Sequence, residues 1–313
     1  MIVRDRPSGP RLFLVLRGSV LPRIRLTLFV NILIATLVTV SHGVLFSQKV
    51  TLTTIPFTLI GLPLAIFLGF RNNAAYDRYW EGRKLWGELV HRSRSLSRQC
   101  QSLIQGEGPA TAALGLEDVR VRMIYRTIAF AHALRHQLRD LRRPEELKPF
   151  LRADEWRRAG KASNPSDYLM LQMGLDLRLC LNEKRLEGCL GSGIDLTLSQ
   201  MAGAAAACER IKGTPIPFSY SLLLHRTAYL YCFLLPFGLV DSLGFMTPFV
   251  VGIVAYTFFG LDALGDEIEE PFGVDSNDLP LDAICHTIEV NLRESLGETD
   301  LPAPVGPIDF CLT

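Results

Sequence analysis

The chain lacks the sequence marks of an enzyme or a metalloprotein. No two of its seven cysteines, Cys100, Cys180, Cys189, Cys208, Cys232, Cys285 and Cys311, form a CxxC pair. They therefore offer no zinc knuckle, and an odd, scattered set is no disulfide framework. His132 and His136 stand four apart without the glutamate of an HExxH motif, which leaves a shared metal unsupported. Gly188, Gly191 and Gly193 are not followed by the Gly-Lys-Ser/Thr of a phosphate loop, and no serine sits in a nucleophile elbow. A net charge of only +1 excludes the strong basic footprint of a nucleic-acid binder. Strand-like alternation is nearly absent, which leaves helices. The chain is expected to be no enzyme and to use no cofactor.

What it does have is long uncharged runs. Hydrophobic residues make up 48% of the 313 positions although 21% are charged, so the two kinds must be segregated. Leu26 to Gln48 and Val50 to Phe70 contain no Asp, Glu, Lys or Arg, and each is near the length that spans a bilayer as a helix. Two further candidates are Thr227 to Val240, extendable back through Arg226 and His225, and Ser242 to Leu261. Six arginines precede the first run against the single Asp5, while the short links at Ser47 to Thr53 and Asp241 to Thr247 hold one charge each. The positive-inside rule then puts both termini in the cytoplasm.

The expected plan is an all-α membrane protein. A basic interfacial segment over residues 1–25 precedes transmembrane helices 1 and 2 over 26–72. A cytoplasmic helical region follows over 73–217, then helices 3 and 4 over 218–262 and a cytoplasmic C-terminal segment over 263–313. Aromatic residues Tyr76, Tyr79, Trp80 and Trp86, interleaved with charges after Phe70, suit a helix leaving the bilayer through its aromatic belt. Helices are expected over Asp118 to Arg143, Ser166 to Leu190, Ile194 to Arg210 and Leu281 to Leu296, with the three glycines parting the middle two.

The second run carries two helical stripes. Ile55, Leu59, Leu62, Ile66 and Phe70 recur every three or four residues, and Gly61, Ala65 and Gly69 every four. The small stripe suits close helix approach in a membrane. The bulky stripe suits lipid, a partner helix, or a hydrophobic constriction ringed by several copies. Arg71, at its inner end, reads as a pore-facing, snorkelling or capping residue. The later acidic stretch ends in Asp275, Asp278 and Asp282, weak calcium candidates without the Gly and Glu of an EF-hand loop.

Several segments together resemble the bestrophin family, most closely its prokaryotic branch. They are Ala65 to Asn73, Tyr76 to Gly87, Cys208-Glu209-Arg210-Ile211 through Pro217, and Glu270-Pro271-Phe272-Gly273 with Asn277 to Asp282. The resemblance implies a homopentameric ion channel in the bacterial inner membrane, with four membrane helices per subunit and a pore on the five-fold axis. It places the pore neck at Leu62, Ile66 and Phe70, a second constriction near Ile194, and monovalent cations such as sodium as the permeant species. Asp77, Glu81 and Glu88 would enrich cations in the vestibule. Val274 after Gly273, and the spaced acids, depart from the denser acidic run that binds calcium in animal members. An anion-selective channel and a non-conducting membrane scaffold are the alternatives.

Overall fold

The computed structural model describes residues 1–4, 9, 15–16, 18–41, 44–45, 48–49 and 52–313. The basic lead-in and the Ser47 to Thr53 link lie partly outside these residues. The chain divides into two compact units, one from residues 4–79 and 215–271, the other from 1–3, 80–214 and 272–313.

The first unit holds α1 (Leu21–Val40), the opening half of α2 (Ile55–Leu103), α7 (Phe218–Leu243) and α8 (Thr247–Glu269). α1 begins five residues before the uncharged run, taking in Arg23 and Arg25. Pro22 is preset for a first turn, and Ser19 Oγ accepts the Leu21 N–H at 3.0 Å. A short antiparallel ladder, Val44–Leu45 with Gln48–Lys49, precedes α2. α2 contains Pro63, which leaves the Leu59 carbonyl without its helical donor. α7 does extend back through Arg226 and His225, and it turns into α8 at Gly244, whose φ of 55° favours glycine.

Packing in this unit depends on close approach at small residues. A side chain at Gly238 would collide with the Phe57 ring, and a Cβ at Gly252 would lie 3.3 Å from Ile32. The buried clusters join α1, α2, α7 and α8 through Ile24, Cys232 and Phe259, through Ala35, Phe57 and Val251, and through Leu64, Leu224 and Ala228. Of the small stripe on α2, only Gly61 is used this way, against the Tyr231 hydroxyl at 2.9 Å; Ala65 and Gly69 are exposed.

The outside of the unit is apolar. Leu26, Phe29, Leu37, Leu59, Leu230, Phe249 and Ile253 are exposed, a patch far beyond what soluble surfaces carry. Leu21–Val40, Ile55–Leu103 and Phe218–Glu269 are each long and apolar enough to cross a membrane, the last being the α7–α8 pair. This is a membrane protein.

The second unit is built around α3 (Val119–Leu138), which packs against α5 (Pro165–Asn182) and α9 (Leu281–Ser295). The short α4 (Ala153–Ala159) and α6 (Gly188–Gly213) complete its helices of four or more turns and their connector. Asp118 caps α3, accepting from Arg120 N at 2.8 Å, and Asp140 at φ 52° ends the segment before Pro144 is reached. The expected break at the glycines lies elsewhere. α5 closes at Asn182, with Lys184 at φ 56° and Arg185 N donating to Cys180 O at 2.9 Å, and α6 runs through all three glycines. Gly191 is needed because a Cβ there would sit 3.0 Å from Leu181. Trp86 is wholly buried and so belongs to this core rather than to an interfacial belt.

α3 buries four arginines, Arg120, Arg122, Arg126 and Arg135. Asp176 of α5 receives Arg122 through both oxygens at 2.9 Å and Arg126 as well, and Arg126 also reaches Glu155. Truncating one member of such a set strands the others without water. Asp176→Asn is therefore expected to destabilise this unit by about 3–5 kcal/mol, read as a lowered unfolding temperature in detergent; an unchanged midpoint would remove Asp176 from this role.

Acid should act on the same unit. Burial, with Arg135 beside it, holds the His136 imidazole below its ordinary value. Burial pushes the Glu289 carboxyl up, yet hydrogen bonds from His132 and Arg293 hold it below the carboxylate range. Both groups titrate lower folded than unfolded, so their contribution is complete above the unfolded values and is lost as pH falls through the folded ones. Melting temperature should decline from about pH 6.5 for His136 and again below about pH 4.3 for Glu289. In Glu289→Gln the lower limb should flatten.

Candidate functional site

The site is best read from α2 outward. Its buried face in the first unit is Phe57, Leu64, Leu68, Arg71 and Ala75, positions that recur at helical spacing. Leu62, Ile66 and Phe70 lie on roughly the opposite side of the helix and are 66%, 47% and 59% exposed. The three residues that the family resemblance assigns to a neck thus form one continuous, exposed apolar stripe, with Ile55 and Leu59 above them; within it Phe70 meets the ring of Phe67 on the same helix, edge-on at 6.2 Å.

Arg71 fixes that orientation. Its side chain is 1% exposed, which excludes both snorkelling and pore-facing readings. Nη1 donates to Asp262 Oδ1 at 2.8 Å and to the Asp262 carbonyl at 3.3 Å; Nη2 meets Asp266 and lies 3.7 Å from Glu269. Asp262 is held from its other oxygen by His225 Nδ1 at 2.6 Å. Nearby, Asn72 Nδ2 donates to Leu261 O at 3.1 Å and Arg78 Nε to Glu269 O at 3.0 Å. Glu269 Oε1 in turn accepts the Ile216 N–H at 2.9 Å. Gly265 is required here, because a Cβ would strike Asn72 Oδ1. An arginine in hydrocarbon costs at least about 3 kcal/mol, so the three carboxylates of α8 are what permit Arg71 inside the helix pack. The acidic residues 262, 266 and 269 are accordingly structural anchors, although Asp266 keeps 41% of its side chain exposed.

The remaining expected site residues separate. Asp77 is exposed and has no ion-pair partner among the described residues. Glu81 pairs with Arg210 at 2.6 Å and Glu88 with Arg92 at 2.5 Å. Ile194, which the family resemblance put at a second constriction, is completely buried within its own unit. The calcium candidates do not converge. Asp282 is paired with Arg135 and Arg139 at 3.0 and 2.7 Å, and Asp278 Oδ2 accepts the Asp275 N–H at 2.7 Å. His132 and His136 point to Glu289 and Glu146, each with its own carboxylate. No cluster of three or more metal-binding side chains occurs among the described residues.

The fold is that of a mostly helical membrane protein whose longest helix carries an exposed apolar stripe backed by a buried arginine. The model of the bacterial/fungal bestrophin proteins matches residues 1–294, and the chain belongs to that family. It is 41% identical over 304 residues to the voltage-dependent anion channel-forming protein YneE of Salmonella typhi, covering 97% of this chain and 96% of that one. With the voltage-dependent anion channel-forming protein mll4386 of Mesorhizobium japonicum it shares 42% over 302 residues, covering 95% and 93%. The crystal structure of a bacterial bestrophin homologue from Klebsiella pneumoniae superposes with a TM-score of 0.81 at 36% identity, covering 88% of this chain and 99% of that one.

The anchor gives a direct test. Arg71→Gln leaves Asp262 buried without its cation, an expected loss of about 3–5 kcal/mol, seen as reduced thermal stability of the purified protein. Arg71→Lys should recover only part of it, since one ammonium cannot bridge Asp262 and Asp266 as the guanidinium fork does. Equal stability of Lys and Gln variants would contradict the bridging role.

Proposed function

We propose that the chain is one subunit of a homopentameric ion channel of the bestrophin type, in which α1, α2, α7 and α8 each cross the bacterial inner membrane. The observation that carries this reading is the stripe of Leu62, Ile66 and Phe70, which is apolar, continuous and exposed on the side of α2 away from its buried face. Five copies around an axis make a neck that offers ions no ligand, so its wetting sets the current. Assembly has support in the second unit too, where Leu171, Leu175 and Leu179 leave an exposed apolar row on α5. Both termini and this second unit are then cytoplasmic.

Selectivity has to come from charges beside the neck, because the neck has none. Asp77 lies seven residues beyond Phe70, on the same stripe, and is exposed. A ring of five carboxylates there favours monovalent cations, sodium included. Glu81 and Glu88 contribute less, each being neutralised by an arginine. Anion selectivity is the second reading, supported by the names of the Salmonella and Mesorhizobium relatives and by Lys84, exposed one heptad beyond Asp77.

Ile66→Ala and Phe70→Ala should each widen and hydrate the neck and raise single-channel conductance severalfold; unchanged conductance in both would displace the stripe from the pore. Across purified protein in a planar bilayer under a sodium chloride gradient, the current should reverse near the sodium equilibrium potential. Asp77→Asn should move the reversal toward zero. Reversal near the chloride potential would establish the anion reading, and no current from verified pentamers would leave a scaffold.

A further inference from the structure

In the unit formed by residues 80–214 and 272–313, the last turns of α2 and the outer face of α9 enclose a groove of about 390 Å³. Arg94, Ser97, Arg98, Gln101, Asn291 and Ser295 line it, and no carboxylate does. The two arginines are four apart and so share one face of α2. Their charges repel, and neither has an acidic partner among the described residues. Arg92, just before them, has Glu88.

Hydrogen-bond accounting shows what the groove still wants. Ser295 Oγ donates to Leu292 O at 2.7 Å, so it accepts from Ser97 at 2.8 Å and from Gln101 Nε2 at 3.1 Å. Gln101 Nε2 also donates to Ser97 Oγ at 3.1 Å. Both hydroxyl protons are thereby committed inside the wall. Arg94 Nε donates to Asn291 Oδ1 at 2.7 Å, which uses that amide's acceptor and leaves its N–H₂ to the groove. The groups left open are the remaining N–H bonds of Arg94, the whole Arg98 guanidinium, the Asn291 amide donor and an acceptor, Gln101 Oε1. Neither arginine lies in the last turn of α2, where the helix dipole would favour a cation. The helix end therefore does not explain a lining whose free valences are mostly donors.

We propose that this groove binds an oxyanion, a phosphate or carboxylate group of a solute or lipid headgroup, between Arg94 and Arg98. The two planar forks leave one helix face four residues apart into the same groove, and oxyanions accept bidentate contacts from such groups. Serine and glutamine brace the floor, and the Asn291 amide supplies a third direction of approach. The ligand would tie α9 to the end of α2, the helix that also carries the stripe proposed for the neck. The binding itself does not rest on conduction and is tested without it.

Inorganic phosphate titrated calorimetrically into detergent-purified protein in chloride buffer should bind saturably, one site per chain. Arg98→Ala should weaken it by roughly tenfold or more, the range expected for losing a charged hydrogen bond. Arg94→Ala/Arg98→Ala should abolish it, and Arg98→Lys should retain much of it. These side chains are exposed, so unfolding is not expected, and an unchanged melting temperature without phosphate checks that. Repeating the titration in phosphatidylcholine nanodiscs with and without phosphatidylglycerol separates the sources. Binding equal in both marks a soluble ligand, and binding suppressed by phosphatidylglycerol marks a headgroup. No saturable binding at millimolar phosphate, or binding unchanged in the double variant, would overturn the site.

Discussion

Everything the first unit presents to its surroundings depends on one buried cation. Arg71 cannot sit among apolar helices without anions, and α8 supplies them at Asp262, Asp266 and Glu269. Once that pairing is made, α2 has no rotational freedom about its own axis. Leu64 and Leu68 must face inward, and Leu62, Ile66 and Phe70 must face out. His225 then holds Asp262 from the far side and brings α7 into the same lock. A buried polar network thus decides which apolar residues are displayed.

The two units solve the same problem by different means. In the first, glycines at 61, 238, 252 and 265 bring helices close enough for large partners to fill the gaps, as suits a medium where hydrophobicity drives nothing. In the second, α3 is buried on nearly every side and compensates its arginines with Asp176, Glu155 and Glu146. Fully paired, these groups specify how α3 meets α4 and α5; half paired, they would be costly.

The membrane helices and the stripe were legible in the sequence because both are local periodic signals, set by the pitch of a helix. The resemblance to bestrophins rested on equally local runs, such as Ala65 to Asn73. What escaped was long-range. Arg71 and Asp262 are 191 positions apart, and nothing local distinguishes a buried arginine from a snorkelling one. Trp86 failed for the same reason, its charged neighbours suggesting an interface while its own face turned to the core. Gly188, Gly191 and Gly193 misled because glycine in a sequence reads as a helix breaker, whereas α6 runs through all three and only Gly191 of them meets a close neighbour, Leu181.

Pro63 gives the longest helix a mechanical character. α2 is unbroken over 49 residues, yet it lacks one rung of its hydrogen-bond ladder between Leu59 and Pro63. Beyond that rung every turn is intact, so the helix is stiff from Leu64 onward and most compliant at one place. Bending is therefore easiest in the single turn from Leu59 to Pro63, the turn that carries Leu62.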